Sequence, residues 1–64
     1  MVKVNGKEEN AAGMTVADYI DSKGYDKRRI AVEINMDILP KDDYDFHVLK
    51  DGDTVEVVSF VGGG

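Results

Sequence analysis

Two period-two runs constrain this chain most. Ile30, Val32 and Ile34 alternate with Ala31, Glu33 and Asn35, and Val55 and Val57 alternate with Glu56 and Val58 inside a longer strand-like run, Thr54 to Val61. Successive side chains of a strand point to opposite faces, so each run is a strand with one face buried and one free. The rest of the chain must cover that buried face. At 64 residues it is one domain near the lower size limit for a single core, burying only about 60% of its unfolded surface. It has no cysteine, so disulfides, thiolate metal sites and iron–sulfur clusters are excluded and stability has to come from packing.

The other elements follow in order. Val2 and Val4 alternate with Lys3 and Asn5, and Asn5-Gly6 suits a two-residue hairpin turn, where both central residues need positive φ. The return strand, Lys7 to Ala12, is weakly apolar, and Lys7, Glu8 and Glu9 mark it as an edge strand that resists pairing with another sheet. After Gly13, Thr15 is placed to cap a helix, with Asp18 three positions on and Met14 available to staple against Tyr19. Val16, Tyr19 and Ile20 share one helical face, and Gly24 suits the position just past the C-terminus. The Ile30–Asn35 strand is expected at the centre of the sheet. Pro40 closes the arm ending at Leu39, because it has no N–H for a ladder. Lys41 to Phe46 reads as a charged, irregular crossing, Val48 and Leu49 as residues dipping into the core, and Lys50-Asp51-Gly52-Asp53 as a turn.

Strand, strand, helix, strand, short irregular piece and strand make two hairpin-like halves around one helix. A helix laid across one face of a mixed sheet, with the first and last strands adjacent and parallel, buries Val2, Val4, Ile20, Ile30, Val32, Ile34, Leu49, Val55 and Val57 together. The expected fold class is α+β: a β-grasp, ubiquitin-like domain over residues 1–64, with a mixed sheet of four to five strands packed on one helix and a flexible tail at Gly62–Gly64.

Side-chain chemistry is sparse. His47 is the one histidine, and neither Ser22 nor Ser59 is near it in sequence to form a nucleophile–base pair. Asp42, Asp43 and Asp45 lack the spacing and distal Glu of a calcium loop and read as a solvated segment. Lys27-Arg28-Arg29 is too short a basic spot for a phosphate-binding surface, and the terminal glycines precede no Lys-Ser/Thr and open no helix. No catalytic and no metal-ligating residues are assigned, and the chain is not expected to be an enzyme. Its net charge of −5 repels nucleic acid and anionic membranes and suits a basic protein partner. No apolar run approaches the roughly 20 residues of a membrane span, so the chain is expected to be cytoplasmic and a monomer when free.

Gly62-Gly63-Gly64 is expected to be a mobile arm, since each glycine loses the most entropy on ordering and brings nothing to pack. Glycines are also simply tolerated at termini. Extended, the arm reaches on the order of 10 Å and is thin enough for a slot that admits no other residue type. Its distinctive group is the α-carboxylate of Gly64, a poor electrophile that another protein must activate, typically with a nucleoside triphosphate. On that reading the chain is expected to be a carrier. If Val55 and Val57 face the core, then Glu56, Val58 and Phe60 face away, and Val58, Phe60 and Val61 form a partner-binding patch beside the tail. The alternative is that Phe60 folds over a sheet edge into the core.

The Asn5-Gly6 turn, the Thr15-Val16 helix start, the Ile30–Asn35 strand, Ile38-Leu39-Pro40-Lys41, Leu49 with Asp51-Gly52-Asp53, the Val55–Val58 strand and the closing Val61-Gly62-Gly63-Gly64 together resemble the ThiS family of thiamine-biosynthesis sulfur carriers. The likeness spans the whole chain. It implies a β-grasp fold whose Gly64 carboxylate is adenylated by an E1-like, ThiF-type adenylyltransferase and converted to a thiocarboxylate, which passes its sulfur to a ThiG-type thiazole synthase. It implies no bound cofactor, the ATP being consumed by the partner, and makes Gly63 the obligatory thin neighbour of Gly64 and Gly62 the small residue before the pair. Lys41 stands where the family frequently has arginine. The alternatives are a carrier for molybdopterin synthesis or tRNA thiolation, whose chains usually run longer, and a non-covalent β-grasp interaction module.

Overall fold

The computed structural model describes residues 1–60. Five strands form one mixed sheet: β1 (Val2–Val4), β2 (Lys7–Glu9), β3 (Ile30–Ile34), β4 (Asp37–Leu39) and β5 (Thr54–Ser59), in the spatial order β2-β1-β5-β3-β4. β1 and β5 run parallel, and every other pair is antiparallel. One helix, α1 (Val16–Lys23), turns Val16, Tyr19 and Ile20 into the core. This is the β-grasp arrangement, and its parallel pair of first and last strands is the one the sequence implies.

α1 begins where Thr15 Oγ1 accepts the Asp18 N–H at 3.1 Å. It ends at Gly24, whose φ of +77° lets its N–H turn back to the Asp21 carbonyl. Met14 lies half-buried against the core ahead of the cap. All nine residues expected in the core are buried, joined by Ala11, Val16, Tyr19 and Tyr44. Each fully buried aliphatic side chain contributes roughly 1.5–3 kcal/mol.

The structure corrects several expectations. The return strand stops at Glu9 rather than Ala12, because β1 begins at Val2 and leaves nothing for Asn10 onward to pair with; Ala11 instead turns into the core. β3 is interior but not central, the middle position going to β5. Val48 is exposed while Leu49 is buried, since adjacent residues of an extended segment point opposite ways and only one can face inward. The expected crossing from Lys41 to Phe46 opens with a single turn of 3-10 helix, Lys41–Asp43, and drives Tyr44 into the core. β4 is an edge strand of three residues after a tight turn at Asn35-Met36. β5 ends at Ser59 rather than Val61; Phe60 adds one further bond, its N–H to the Arg29 carbonyl at 2.7 Å, and Val61 lies outside the described residues.

Candidate functional site

β5 is the middle strand of the sheet. Its neighbours supply ladder bonds on both sides, but β1 is too short to accompany it to its end. Asn5 takes over: its Oδ1 accepts the Val57 N–H at 2.8 Å and its Nδ2 donates to the Val57 carbonyl at 3.2 Å. The carboxamide thus stands in for a strand residue two positions beyond the last β1–β5 pair, Val4 with Val55. It can do so because Asn5 sits in the left-handed region at φ +49° as the first turn residue, with Gly6 second at φ +83°.

A second asparagine holds the start of β5. Asn35, at φ +50°, accepts the Thr54 N–H on its Oδ1 at 2.9 Å and donates from Nδ2 to Asp53 Oδ1 at 3.1 Å. Asp53 is a buried carboxylate whose other oxygen accepts the Lys50 N–H at 2.9 Å. Burial opposes its charge, but the hydrogen bonds from the Lys50 amide and Asn35, with the charges of Lys50 and His47, outweigh burial and hold its pKa below the ordinary value.

The outer face of the sheet is where the candidate partner patch falls. Val58 is 48% exposed and Phe60 55% exposed, so Phe60 is not core. The patch is larger than the sequence suggested. Ile38, paired with Glu33 across β3 and β4, lies on the same face at 74% exposure, and Met36 in the turn before it is 89% exposed. Period-two alternation in the Asp37-Ile38-Leu39 arm could have revealed Ile38, but three residues are too few to read as a strand. Asn5 was legible as a turn residue and not as a clamp, whereas Asn35, expected as the end of a strand, is the first residue of the turn after β3, which stops at Ile34. Val61, Gly62, Gly63 and Gly64, the remaining candidate residues, lie outside the described residues.

The other polar residues form local structure. Asp26 accepts the Arg28 N–H at 3.0 Å and pairs with the Arg28 and Arg29 guanidiniums, its pKa lowered chiefly by the hydrogen bond from the Arg28 side chain. Ser22 Oγ donates to the Tyr19 carbonyl at 2.7 Å. Asp42, Asp43 and Asp45 are exposed, and among the described residues no group of three or more acidic, histidine or cysteine residues is gathered as metal ligands. Lys41 Nζ donates to the Ile30 carbonyl at 2.8 Å, tying the crossing to the start of β3. Among the described residues no helix is long and apolar enough to cross a membrane.

Comparison with known proteins agrees with this geometry. The sequence profile of the ThiS family matches residues 2–64. The sulfur carrier protein ThiS of Bacillus subtilis is 36% identical over 67 aligned positions, covering 100% of both chains. A crystal structure of the thiamine biosynthesis protein ThiS from Geobacter metallireducens superposes with a TM-score of 0.78 at 33% identity, covering 98% of this chain and 97% of that one. A thiazole synthase of Paramagnetospirillum magneticum is 45% identical over 62 residues, which are 95% of this chain and 19% of that protein. The chain spans about a fifth of the length of the thiazole synthases that it matches.

Proposed function

The chain belongs to the ThiS family of thiamine-biosynthesis sulfur carriers, and on that footing we propose that the carboxylate of Gly64 is the group that carries the sulfur. An E1-like, ThiF-type adenylyltransferase transfers the adenylyl group of ATP to this carboxylate, releasing pyrophosphate. A sulfur nucleophile then displaces AMP from the acyl carbon, and the resulting thiocarboxylate gives its sulfur to a ThiG-type thiazole synthase. The chain is the carried substrate of these steps in the cytoplasm rather than a catalyst, and it holds no cofactor of its own.

The observation that supports this reading is the placement of β5. It is the middle strand, bonded on the β1 side as far as the Asn5 clamp at Val57 and on the β3 side through Phe60, so the chain beyond Phe60 follows directly from an anchored strand. Val58 and Phe60 stand exposed along that exit and give a partner an apolar hold next to Gly62, Gly63 and Gly64. The thiazole synthases that contain a stretch similar to this chain favour a ThiG-type partner.

Intact mass after incubation with ATP, the activating enzyme of the same cell and a sulfide source tests the proposal. The expected result is a gain equal to the exchange of one oxygen for sulfur, mapped to Gly64. No gain, with the enzyme active on another carrier, overturns it; a gain whose sulfur thiazole synthase cannot use, but molybdopterin synthesis or tRNA thiolation can, moves the acceptor.

A further inference from the structure

The register of β3, β4 and β5 places an unusual row on the outer face of the sheet. Ile38, Glu33 and Glu56 lie side by side across the three strands, with Glu33 directly opposite Glu56. Directly opposed strand residues stand about 5 Å apart, and like charges there are destabilising. Among the described residues neither glutamate is in an ion pair; Lys3, on β1 beside Thr54, forms none with Glu56. Glu33, Met36, Thr54 and Glu56 line one depression. Met36 adds a second local cost, since a long side chain is held at φ +74°, where glycine is at ease. The next row along β3 and β5 is Ala31 with Val58, and Phe60 lies beyond it. Two carboxylates without an ion pair among the described residues are therefore set beside the exposed apolar side chains Met36, Ile38 and Val58, with Thr54 and Lys3 on the β1 side.

Those charges select what covers the face. A second copy of this chain would bring four carboxylates together, and an apolar surface would bury two charges without partners, at a cost of several kcal/mol for each. A guanidinium offers five N–H donors in a flat fork and satisfies two carboxylates at once, which a lysine ammonium does less well. We propose that the outer sheet face from Met36 to Phe60 docks a surface of the thiazole-synthase partner that carries an arginine among apolar side chains, the guanidinium being received between Glu33 and Glu56 while Met36, Ile38 and Val58 close around it. This rests on the carrier reading above and extends its patch of Val58 and Phe60.

The test compares the full chain with Glu33→Gln, Glu56→Gln and the double variant in titrations against purified thiazole synthase of the same cell, alongside urea unfolding. Each single change is expected to weaken binding about tenfold, as for loss of one charge-assisted hydrogen bond, and the double variant to lose most of the salt dependence of binding. Urea midpoints should stay level or rise, because the repulsion is relieved. Double-variant binding within twofold of wild type overturns the proposal, as does a falling urea midpoint, which makes the pair structural. So does a loss of binding confined to the activating enzyme, or sedimentation showing a dimer that Ile38→Asp dissociates. The sulfur mass gain is read separately: a chain that gains sulfur but binds the synthase regardless of Glu33 and Glu56 keeps the carrier function and loses the arginine socket. A chain that never gains sulfur loses the carrier function, while the titration still decides the socket.

Discussion

Asn5 and Val57 are 52 positions apart in sequence and exchange two hydrogen bonds, carboxamide to backbone, at 2.8 and 3.2 Å. The first hairpin turn thereby becomes part of the ladder that holds the last strand. Asn5→Gly keeps the left-handed backbone and removes only the clamp, so it should cost about 1–2 kcal/mol. Asn5→Ala adds backbone strain at φ +49° and should cost about 1 kcal/mol more. Urea unfolding gives both numbers. Amide exchange at Val57 should quicken in both variants, and an unchanged rate would show that the clamp holds nothing.

Asp53 makes stability depend on pH on the acid side. Its pKa is lowered in the folded chain from an ordinary value of 3.8. Its contribution is therefore fully present above that value and is lost as pH falls through the lower, folded one. Thermal melts of wild type should drop progressively below about pH 4. Asp53→Asn should be less stable at pH 7 by about 1–3 kcal/mol, because one acceptor oxygen becomes a donor facing another donor, and the difference from wild type should shrink with acid. A constant difference across pH 2–7 would remove Asp53 as the titrating group.

Much of the fold could be read from the sequence, because alternation and turn chemistry speak locally. The nine expected core residues are buried, and the Thr15 cap and Gly24 stop fall where their residue types require. Tyr44 escaped notice because its neighbours Asp42, Asp43 and Asp45 give the segment the composition of a solvated loop. Only the three-dimensional structure shows that this segment turns one large side chain, Tyr44, into the core. β4 escaped for a related reason: Met36 occupies a left-handed turn position with no glycine to announce it. The exposure of Val58 and Phe60 was legible from alternation alone, whereas the opposition of Glu33 to Glu56 depends on strand register, which no single stretch of sequence contains.

Phe60 lies beyond the last ladder pair with more than half its surface exposed. Phe60→Asp should leave the urea midpoint within about 0.5 kcal/mol of wild type, as surface substitutions away from special features usually do. Titration against the activating enzyme and thiazole synthase should show binding at least tenfold weaker. Unfolding of the variant would instead make the Phe60 ring a structural cover for the sheet end.

Gly63→Leu, or one residue appended after Gly64, should abolish the gain of sulfur mass, because the slot that admits a glycine thread rejects a Cβ. Thermal melting should be unchanged to within a degree or two. A drop of several degrees would mean that these residues pack against the domain, and retained sulfur gain would mean that the partner's slot is wide.

The position of β5 between a parallel and an antiparallel neighbour also has a mechanical meaning. A pull applied beyond Phe60, directed along the strand, loads the bonds to β1 and β3 together in shear, with both asparagine clamps engaged, instead of peeling an edge strand one bond at a time. The domain as a whole would therefore resist such a pull.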